Sequence, residues 1–230
     1  MDVPAGAVSR ADADPGSGSR ERLGRVLLVA FFLAVGCDLA SLALGLDAGH
    51  TAAKPLLMPL LTAYAATRGA PRLLLAALLF GWGGDVFLLS GADWAFLVGM
   101  GSFAAGHVCY LLLFRGTRTS PLLAGFYGIA LVGAVTLLWP DLPADLRIPV
   151  AGYSLLLTAM ACRASGLGLV AGAGGALFLL SDMLIATGVA EWPQLPVPDF
   201  WIMLTYCAAQ LLLAAGVLAR STQAFGESRG

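Results

Sequence analysis

The stretch VLLVAFFLAVGCDLASLALG, residues 26–45, decides the class of fold. It carries one charged residue, Asp38, and is otherwise apolar or built of small side chains. An α-helix needs about 20 predominantly apolar residues to cross the hydrocarbon core of a bilayer, whereas the apolar core of a signal peptide has only about 7–15. The stretch therefore predicts a transmembrane helix and not a cleaved leader.

The composition of the 230-residue chain extends this prediction to the whole protein. Apolar residues make up 59% of the sequence and charged residues 12%, and the mean hydropathy is +0.84. Ordinary soluble domains have about 45–50% apolar and about 25% charged residues, and a soluble chain this apolar could not cover its surface with polar groups. The net charge of −1 argues against nucleic acid as a partner, because such partners require a basic surface.

Seven further apolar segments follow the first, so the sequence predicts an all-α polytopic integral membrane protein with about eight transmembrane helices. The predicted segments are 25–46, 54–68, 71–90, 94–115, 120–139, 147–163, 166–188 and 198–219. The second is short and contains Pro55, which suits the first turn of a helix, and Pro59, which should kink it. We expect a disordered N-terminal tail over residues 1–22, a single eight-helix domain over 23–220 and a short C-terminal tail over 221–230.

The basic residues predict the orientation in the membrane. With the N-terminus inside, the cytoplasmic side holds Arg10, Arg20, Arg22, Arg25, Arg68, Arg72, Arg115, Arg118, Arg163, Arg220 and Arg229. The opposite side holds only Lys54 and Arg147, which is a clear positive-inside bias. An aromatic belt near the outer interface agrees with it, formed by Trp94, Trp139, Trp192 and Trp201. We predict an integral protein of a bacterial cytoplasmic (inner) membrane with both termini cytoplasmic.

Three acidic residues lie inside predicted spans, namely Asp38, Asp85 and Asp182. Each costs about 2.5–3.5 kcal/mol on insertion scales, so each is a candidate functional residue. Counted at about 1.5 Å per residue, Asp85 and Asp182 lie at matching depth, about 8–9 Å below the outer boundary. Two carboxyl groups in a low-dielectric site suit acid–base chemistry, with one protonated and the other ionised. The alternative is a structural role, in which the acids bond neighbouring helices or pair with Lys54.

Further polar residues accompany these acids within the spans. His107 and Tyr110 share a helix face at spacing i, i+3, Tyr206 and Gln210 share one at i, i+4, and Ser181 precedes Asp182. They could line a polar cavity or join helices by hydrogen bonds. The four cysteines lie far apart inside apolar runs, and no close pair of metal ligands is present, so we expect no metal site.

Four segments together resemble the YhhN/TMEM86 family, and they occur in the order found in that family. They are KPLLMPLL at 54–61, GDVFLL at 84–89, FAAGHVCY at 103–110 and GALFLLSD at 175–182. The resemblance covers about residues 25–219. It implies a lysoplasmalogenase, which hydrolyses the vinyl ether bond of a lysoplasmalogen to a fatty aldehyde and glycerophosphoethanolamine or glycerophosphocholine.

The candidate residues fit this chemistry. A vinyl ether is cleaved by protonation of its β-carbon followed by attack of water, which needs one carboxylic acid and one carboxylate. The hypothesis is that Asp85 and Asp182 are this catalytic pair, in either order. Lys54 could bind the substrate phosphate, or hold an aspartate ionised, while His107 and Tyr110 could orient the pair or the water. The lysophospholipid substrate would enter from the bilayer, and no cofactor is required.

Other functions remain open at this stage. The enzyme could hydrolyse another lysolipid or an epoxide. Intramembrane acids and a kinked second helix also suit a small proton-coupled transporter. A structural or lipid-binding membrane protein is a further alternative. The sequence leaves the oligomeric state open.

Overall fold

A computed structural model describes residues 15–227 of the chain, with side chains for residues 18–221. Over this range the chain folds into helices joined by short connections, with no strand. The helices are α1 (Pro15–Ala43), α2 (Asp47–Thr67), α3 (Arg72–Leu88), α4 (Asp93–Leu113), α5 (Pro121–Leu138), α6 (Arg147–Ser165), α7 (Leu169–Val189) and α8 (Pro198–Glu227). The predicted all-α class is confirmed, and each predicted segment corresponds to one helix.

Six helices in the described part of the chain are long and apolar enough to cross a membrane. They are α1, α4, α5, α6, α7 and α8. α3 has only 17 residues. α2 has 21 residues but contains two prolines and the charged residues Asp47 and Lys54, which lower its apolarity. Over residues 15–227 the protein is therefore all-helical, with six candidate membrane-spanning helices.

Several helices extend beyond the apolar segments that predicted them. α1 begins at Pro15 and so includes residues 15–22 of the expected N-terminal tail, because proline suits the first turn of a helix. α2 begins at Asp47 rather than near 54, with an acid favourably placed in its first turn. α8 continues to Glu227. Hydropathy locates the apolar part of a helix and not its polar ends. Residues 1–14 and 228–230 lie outside the described residues.

Pro59 does not end α2, because a neighbouring helix binds the carbonyl that the proline leaves free. Proline has no N–H, so the carbonyl of Pro55, four residues earlier, loses its helical hydrogen bond. The indole N–H of Trp82 on α3 donates to this carbonyl oxygen at 2.9 Å. Trp82 therefore fastens α3 to α2 at the proline, a contact that hydropathy does not indicate.

Replacing this tryptophan tests the contact. We expect Trp82→Phe to lower the free energy of unfolding by about 1–3 kcal/mol, because the Pro55 carbonyl is left unsatisfied in an apolar setting. Thermal unfolding in detergent measures the effect. The matched control is Trp94→Phe, since Trp94 is 62% exposed and its indole N–H has no protein partner among the described residues. Equal losses in the two variants would contradict the role assigned to Trp82.

The helices pack as three close pairs, α1 with α2, α3 with α4, and α7 with α8. α6 packs against both α7 and α4, whereas α5 packs mainly on α6 and has only Tyr127 and Leu138 buried. Small residues permit the close approaches, as in other membrane helices. On α7, Gly174 faces the backbone of α8 and Gly175 faces that of α6. These contacts set the spacing of the helices around the central polar residues.

Candidate active site

A cavity of about 460 Å³ brings the main candidate residues together. Its polar wall includes Lys54 of α2, Asp85 of α3, Ser181 and Asp182 of α7, and Tyr206 of α8. Phe96 and Phe103 of α4 and aliphatic side chains of α7 and α8 form the apolar wall. Residues of five helices therefore line a single cavity that brings Asp85, Asp182 and Lys54 together, and Asp199 of α8 adds a third carboxyl group to its lining.

Asp85 ends a chain of buried hydrogen bonds. It is 2% exposed, and it accepts a hydrogen bond from the Tyr206 hydroxyl at 2.9 Å. Gln210 donates through Nε2 to the Tyr206 hydroxyl oxygen at 3.3 Å, and its Oε1 accepts from the Tyr110 hydroxyl at 2.8 Å. The sequence placed Tyr206 and Gln210 on one face, and the structure joins both to Asp85. This chain restricts the orientation of the carboxyl group.

Asp182 is held by a different chain of hydrogen bonds. The hydroxyl of Tyr153 on α6 donates to Asp182 Oδ2, and the same hydroxyl lies 3.1 Å from His107 Nε2. A hydroxyl has one proton, so when Tyr153 donates to Asp182 it must accept from a protonated Nε2 of His107. His107 Nδ1 is then the bare nitrogen, and it is buried without a partner among the described residues. His107 therefore supports Asp182 through Nε2 alone in this arrangement.

One helix supports both acids. His107 and Tyr110 lie on the same face of α4 and are each 1% exposed. His107 reaches Asp182 through Tyr153, and Tyr110 reaches Asp85 through Gln210. Ser181 lines the cavity, and its hydroxyl donates to the Ile202 carbonyl of α8 at 3.1 Å. Ser181 thus joins α7 to α8 beside Asp182.

Asp38 lies apart from this cavity. It is fully buried, and its Oδ1 lies 2.8 Å from Nδ1 of His50 on α2, while its Oδ2 has no hydrogen-bond partner among the described residues. Within the described residues, this is the only contact of 4.0 Å or less between a basic side-chain nitrogen and a carboxylate oxygen. The alternative in which Lys54 forms a salt bridge with an aspartate is therefore not seen among the described residues, and Lys54 lines the cavity.

Sequence reasoning missed two residues, Tyr153 and His50. Tyr153 contacts Asp182 and His107 from positions 29 and 46 residues distant, and no local pattern reveals such a pairing. His50 lies one turn before Lys54 on α2. The expected start of that helix near 54 placed His50 in a loop, and recognition of Asp47 as an acid in the first turn would have placed it on the helix. Among the side chains of residues 18–221, no three of His, Cys, Asp or Glu form a group that could hold a metal ion.

Comparison with known proteins shows where this chain is similar to others. The profile of the YhhN family matches residues 49–217, more than half of the chain. That range includes Lys54, Asp85 and Asp182. It also includes Tyr206, which bonds Asp85, and Tyr153, which bonds Asp182. Asp38 precedes the matched range. No solved structure matches the chain significantly.

Curated relatives are identical to this chain at somewhat more than a third of the aligned positions. Human lysoplasmalogenase TMEM86B is 37% identical over 150 residues, which are 65% of each chain. TMEM86B of Sus scrofa is 38% identical over 127 residues, or 54% of each chain. The lysoplasmalogenase of Mycobacterium tuberculosis (strain CDC 1551 / Oshkosh) is 34% identical over 159 residues, covering 63% of this chain and 60% of the relative. The matched region thus spans less than two thirds of these relatives.

Proposed function

Because the chain belongs to the YhhN family, we propose that it is a membrane-embedded hydrolase that cleaves the vinyl ether bond of a lysoplasmalogen. Its products are a fatty aldehyde and glycerophosphoethanolamine or glycerophosphocholine. The observation that carries the proposal is the cavity lined by Asp85, Asp182 and Lys54. The relatives named lysoplasmalogenase support the substrate class.

The proposed reaction begins with proton transfer to carbon. One aspartic acid gives its proton to the β-carbon of the vinyl ether, and the α-carbon and ether oxygen then share the positive charge of an oxocarbenium ion. The other aspartate takes a proton from water as the water oxygen bonds to the α-carbon, which forms a hemiacetal. The nearby carboxylate stabilises the cation, as in glycoside hydrolysis.

Collapse of the hemiacetal restores both acids. The first carboxylate takes the proton of the hemiacetal hydroxyl, the bond from the α-carbon to the ether oxygen breaks, and the second acid returns its proton to the departing glycerol oxygen. One water is consumed, no electrons are exchanged with a redox partner, and each aspartate ends in its starting state. The residues of the cavity therefore suffice for a complete cycle.

The surrounding hydrogen bonds position the two acids in this proposal. Tyr206 and Tyr153 each donate to one oxygen of a carboxyl group, which leaves the other oxygen for proton transfer. His107 and Gln210 in turn hold the tyrosine hydroxyls. Preorganised groups of this kind lower the barrier, because they need not reorient during the reaction.

Lys54 binds the phosphate of the headgroup in this arrangement. We expect Lys54→Gln to raise KM for a lysoplasmalogen about tenfold or more, since a charge-assisted bond to phosphate is lost. A 1-alkenylglycerol without phosphate should show less than about a twofold change, because it never makes that bond. Lys54→Arg keeps the charge and should recover part of the affinity. Equal losses for both substrates would argue against phosphate binding.

Aldehyde release by the purified protein in detergent tests the function itself. We expect a lysoplasmalogen to yield aldehyde, whereas its saturated alkyl ether analogue yields none, because only the vinyl ether can form the cation by protonation of carbon. Fatty acid release from a monoacyl lysolipid, or diol formation from an epoxide, without aldehyde would overturn the proposed substrate. Solute or proton flux in proteoliposomes without hydrolysis would instead favour a transporter.

We further propose that all eight helices cross the bacterial cytoplasmic membrane and that both termini are cytoplasmic. α2 and α3 pack against each other and against α1 and α4, so neighbouring helices partly shield them from lipid. Lys54 and Asp85 both line the cavity, and polar surroundings of this kind lower the cost of charges in membrane helices. The arginine bias supports the orientation.

The side of the membrane on which the α2–α3 turn lies distinguishes eight spans from six. Both arrangements leave the C-terminus on the same side, but only full crossing by α2 and α3 places Gly69 in the cytoplasm. A cysteine introduced at Gly69, in a chain freed of its four cysteines, should resist a membrane-impermeant thiol reagent in intact cells. A cysteine at Gly91, in the α3–α4 connection, is the matched position expected to react. Labelling at Gly69 would contradict the eight-span topology.

A further inference from the structure

A second, apolar cavity adjoins the first and lies between α4, α5, α6 and α7. We name this the apolar crevice; its lining includes Met100, Ala134, Leu138, Val150, Met183 and Ala186. It is smaller than the polar cavity, about 90 Å³ against about 460 Å³. Arg147 also lines the crevice. Its guanidinium donates hydrogen bonds to the carbonyl oxygens of Leu142 and Pro140. Apart from Asp182, Tyr153 and Ser154, the rest of the wall consists of apolar side chains.

The two cavities meet at Asp182. The residues common to both linings are Leu88, Phe96, Phe103, Asp182, Ile185 and Val189. Asp182 is the only ionisable member of this set, whereas Asp85 and Lys54 line the polar cavity alone. A ligand with a polar part in the polar cavity and an apolar part in the apolar crevice would therefore have the junction of its two parts beside Asp182.

The crevice is suited to access from the bilayer. One of its walls is α5, which packs mainly on α6 and has few buried residues. A hydrocarbon chain could move from lipid into the crevice past this helix without leaving an apolar environment.

On the basis of the proposed function, we infer that the apolar crevice binds the alkenyl chain of the lysolipid and that Asp182 is the acid that protonates its β-carbon. In a lysoplasmalogen the first two carbons of the hydrocarbon chain form the double bond. The α-carbon carries the ether oxygen, which leads to the glycerol and the phosphate, and the β-carbon carries the rest of the chain. With the chain in the crevice and the phosphate at Lys54, the vinyl ether lies at the junction. The β-carbon is on the chain side, beside Asp182. Asp85 is left on the headgroup side as the base that activates water.

A pair of variants one turn apart on α5 tests the chain site. Ala134 lines the crevice, whereas Ala130 is exposed and does not. We expect Ala134→Phe to lower kcat/KM for a sixteen-carbon alkenyl chain about tenfold or more, and to change that for a four-carbon chain less than about twofold. Ala130→Phe should change neither. If Ala134→Phe leaves the long-chain substrate unaffected, or lowers both substrates equally, the inference is wrong.

Crosslinking measures chain binding without hydrolysis. The probe is a saturated ether lysolipid with a photoreactive diazirine in its chain, applied to the full-length protein in vesicles. We expect adducts on crevice residues of α5, α6 and α7 in the wild type and in Ala130→Phe, but not in Ala134→Phe. Adducts on these crevice residues without aldehyde release would contradict the proposed function but support the chain-binding site. Aldehyde release with adducts only on residues outside the crevice would contradict the chain-binding site but support the proposed function.

Deuterium incorporation tests the assignment of the acid. In D₂O, Asp85→Asn retains the acid but lacks the base, so the cation returns to substrate by giving a β-hydrogen to Asp182. Unreacted lysoplasmalogen recovered from this variant should therefore carry deuterium at the β-carbon. Asp182→Asn cannot protonate carbon and should leave the substrate unlabelled. Label that appears only with Asp182→Asn, or with neither variant, would overturn the assignment.

Discussion

Asp85→Asn and Asp182→Asn should each lower aldehyde release from lysoplasmalogen at least about a thousandfold while the protein stays folded. Loss of a positioned acid or base typically costs about 10²–10⁴ in rate, and here each carboxyl group acts in two steps. Asparagine has nearly the shape of aspartate, and its carbonyl oxygen can still accept the hydrogen bond from Tyr206 or Tyr153. The loss should therefore appear in kcat and not in thermal stability.

A third acid provides the control for this pair. Asp145 lies in the connection between α5 and α6, is exposed and does not line the cavity. Asp145→Asn should keep wild-type activity. Elution volume and unfolding temperature of all three variants should match the wild type. If either intramembrane variant retains activity within about tenfold of wild type, the two-carboxylate mechanism fails. Asp38 and His107 would then be the next residues to replace.

Gly174→Ala should cause the largest loss of stability among single small substitutions in α7. A Cβ at this position would lie 2.8 Å from the Leu213 backbone nitrogen and 2.9 Å from the Ala209 carbonyl oxygen on α8. These are backbone atoms, so relief requires that α7 and α8 move apart, at a cost of about 1–3 kcal/mol. The same movement displaces Asp182 on α7 relative to Tyr206 on α8. Activity should therefore fall together with the unfolding temperature.

The matched control is Gly152→Ala on α6. A Cβ there has no atom within 4 Å, and alanine favours a helix over glycine by up to about 1 kcal/mol. We expect Gly152→Ala to leave the unfolding temperature unchanged or raise it, measured by thermal unfolding in detergent. Similar shifts in both variants would mean that the close approach of α7 and α8 at Gly174 is not important for stability.

The site residues differ in how far the sequence could identify them. Acids inside apolar segments are conspicuous, and the shared faces of Tyr206 with Gln210 and of His107 with Tyr110 follow from helical periodicity. Asp85, Asp182 and these four residues line the cavity or belong to the hydrogen-bonded groups around it. Asp38 carries the same sequence signal as Asp85, yet it bonds His50 outside the cavity. The signal marks a buried carboxyl group and does not identify its partner.

The sequence by itself determined the helical class, the approximate helix positions and the set of polar residues in apolar segments, because hydropathy and periodicity are local properties of the chain. Only the tertiary structure decided which of those residues meet. Tyr206 bonds Asp85 across 121 residues, and Tyr153 lies between Asp182 and His107. Such contacts depend on the distance between neighbouring helices and on the rotation of each helix about its axis. Small residues such as Gly174 set that distance, and they lie away from the polar groups.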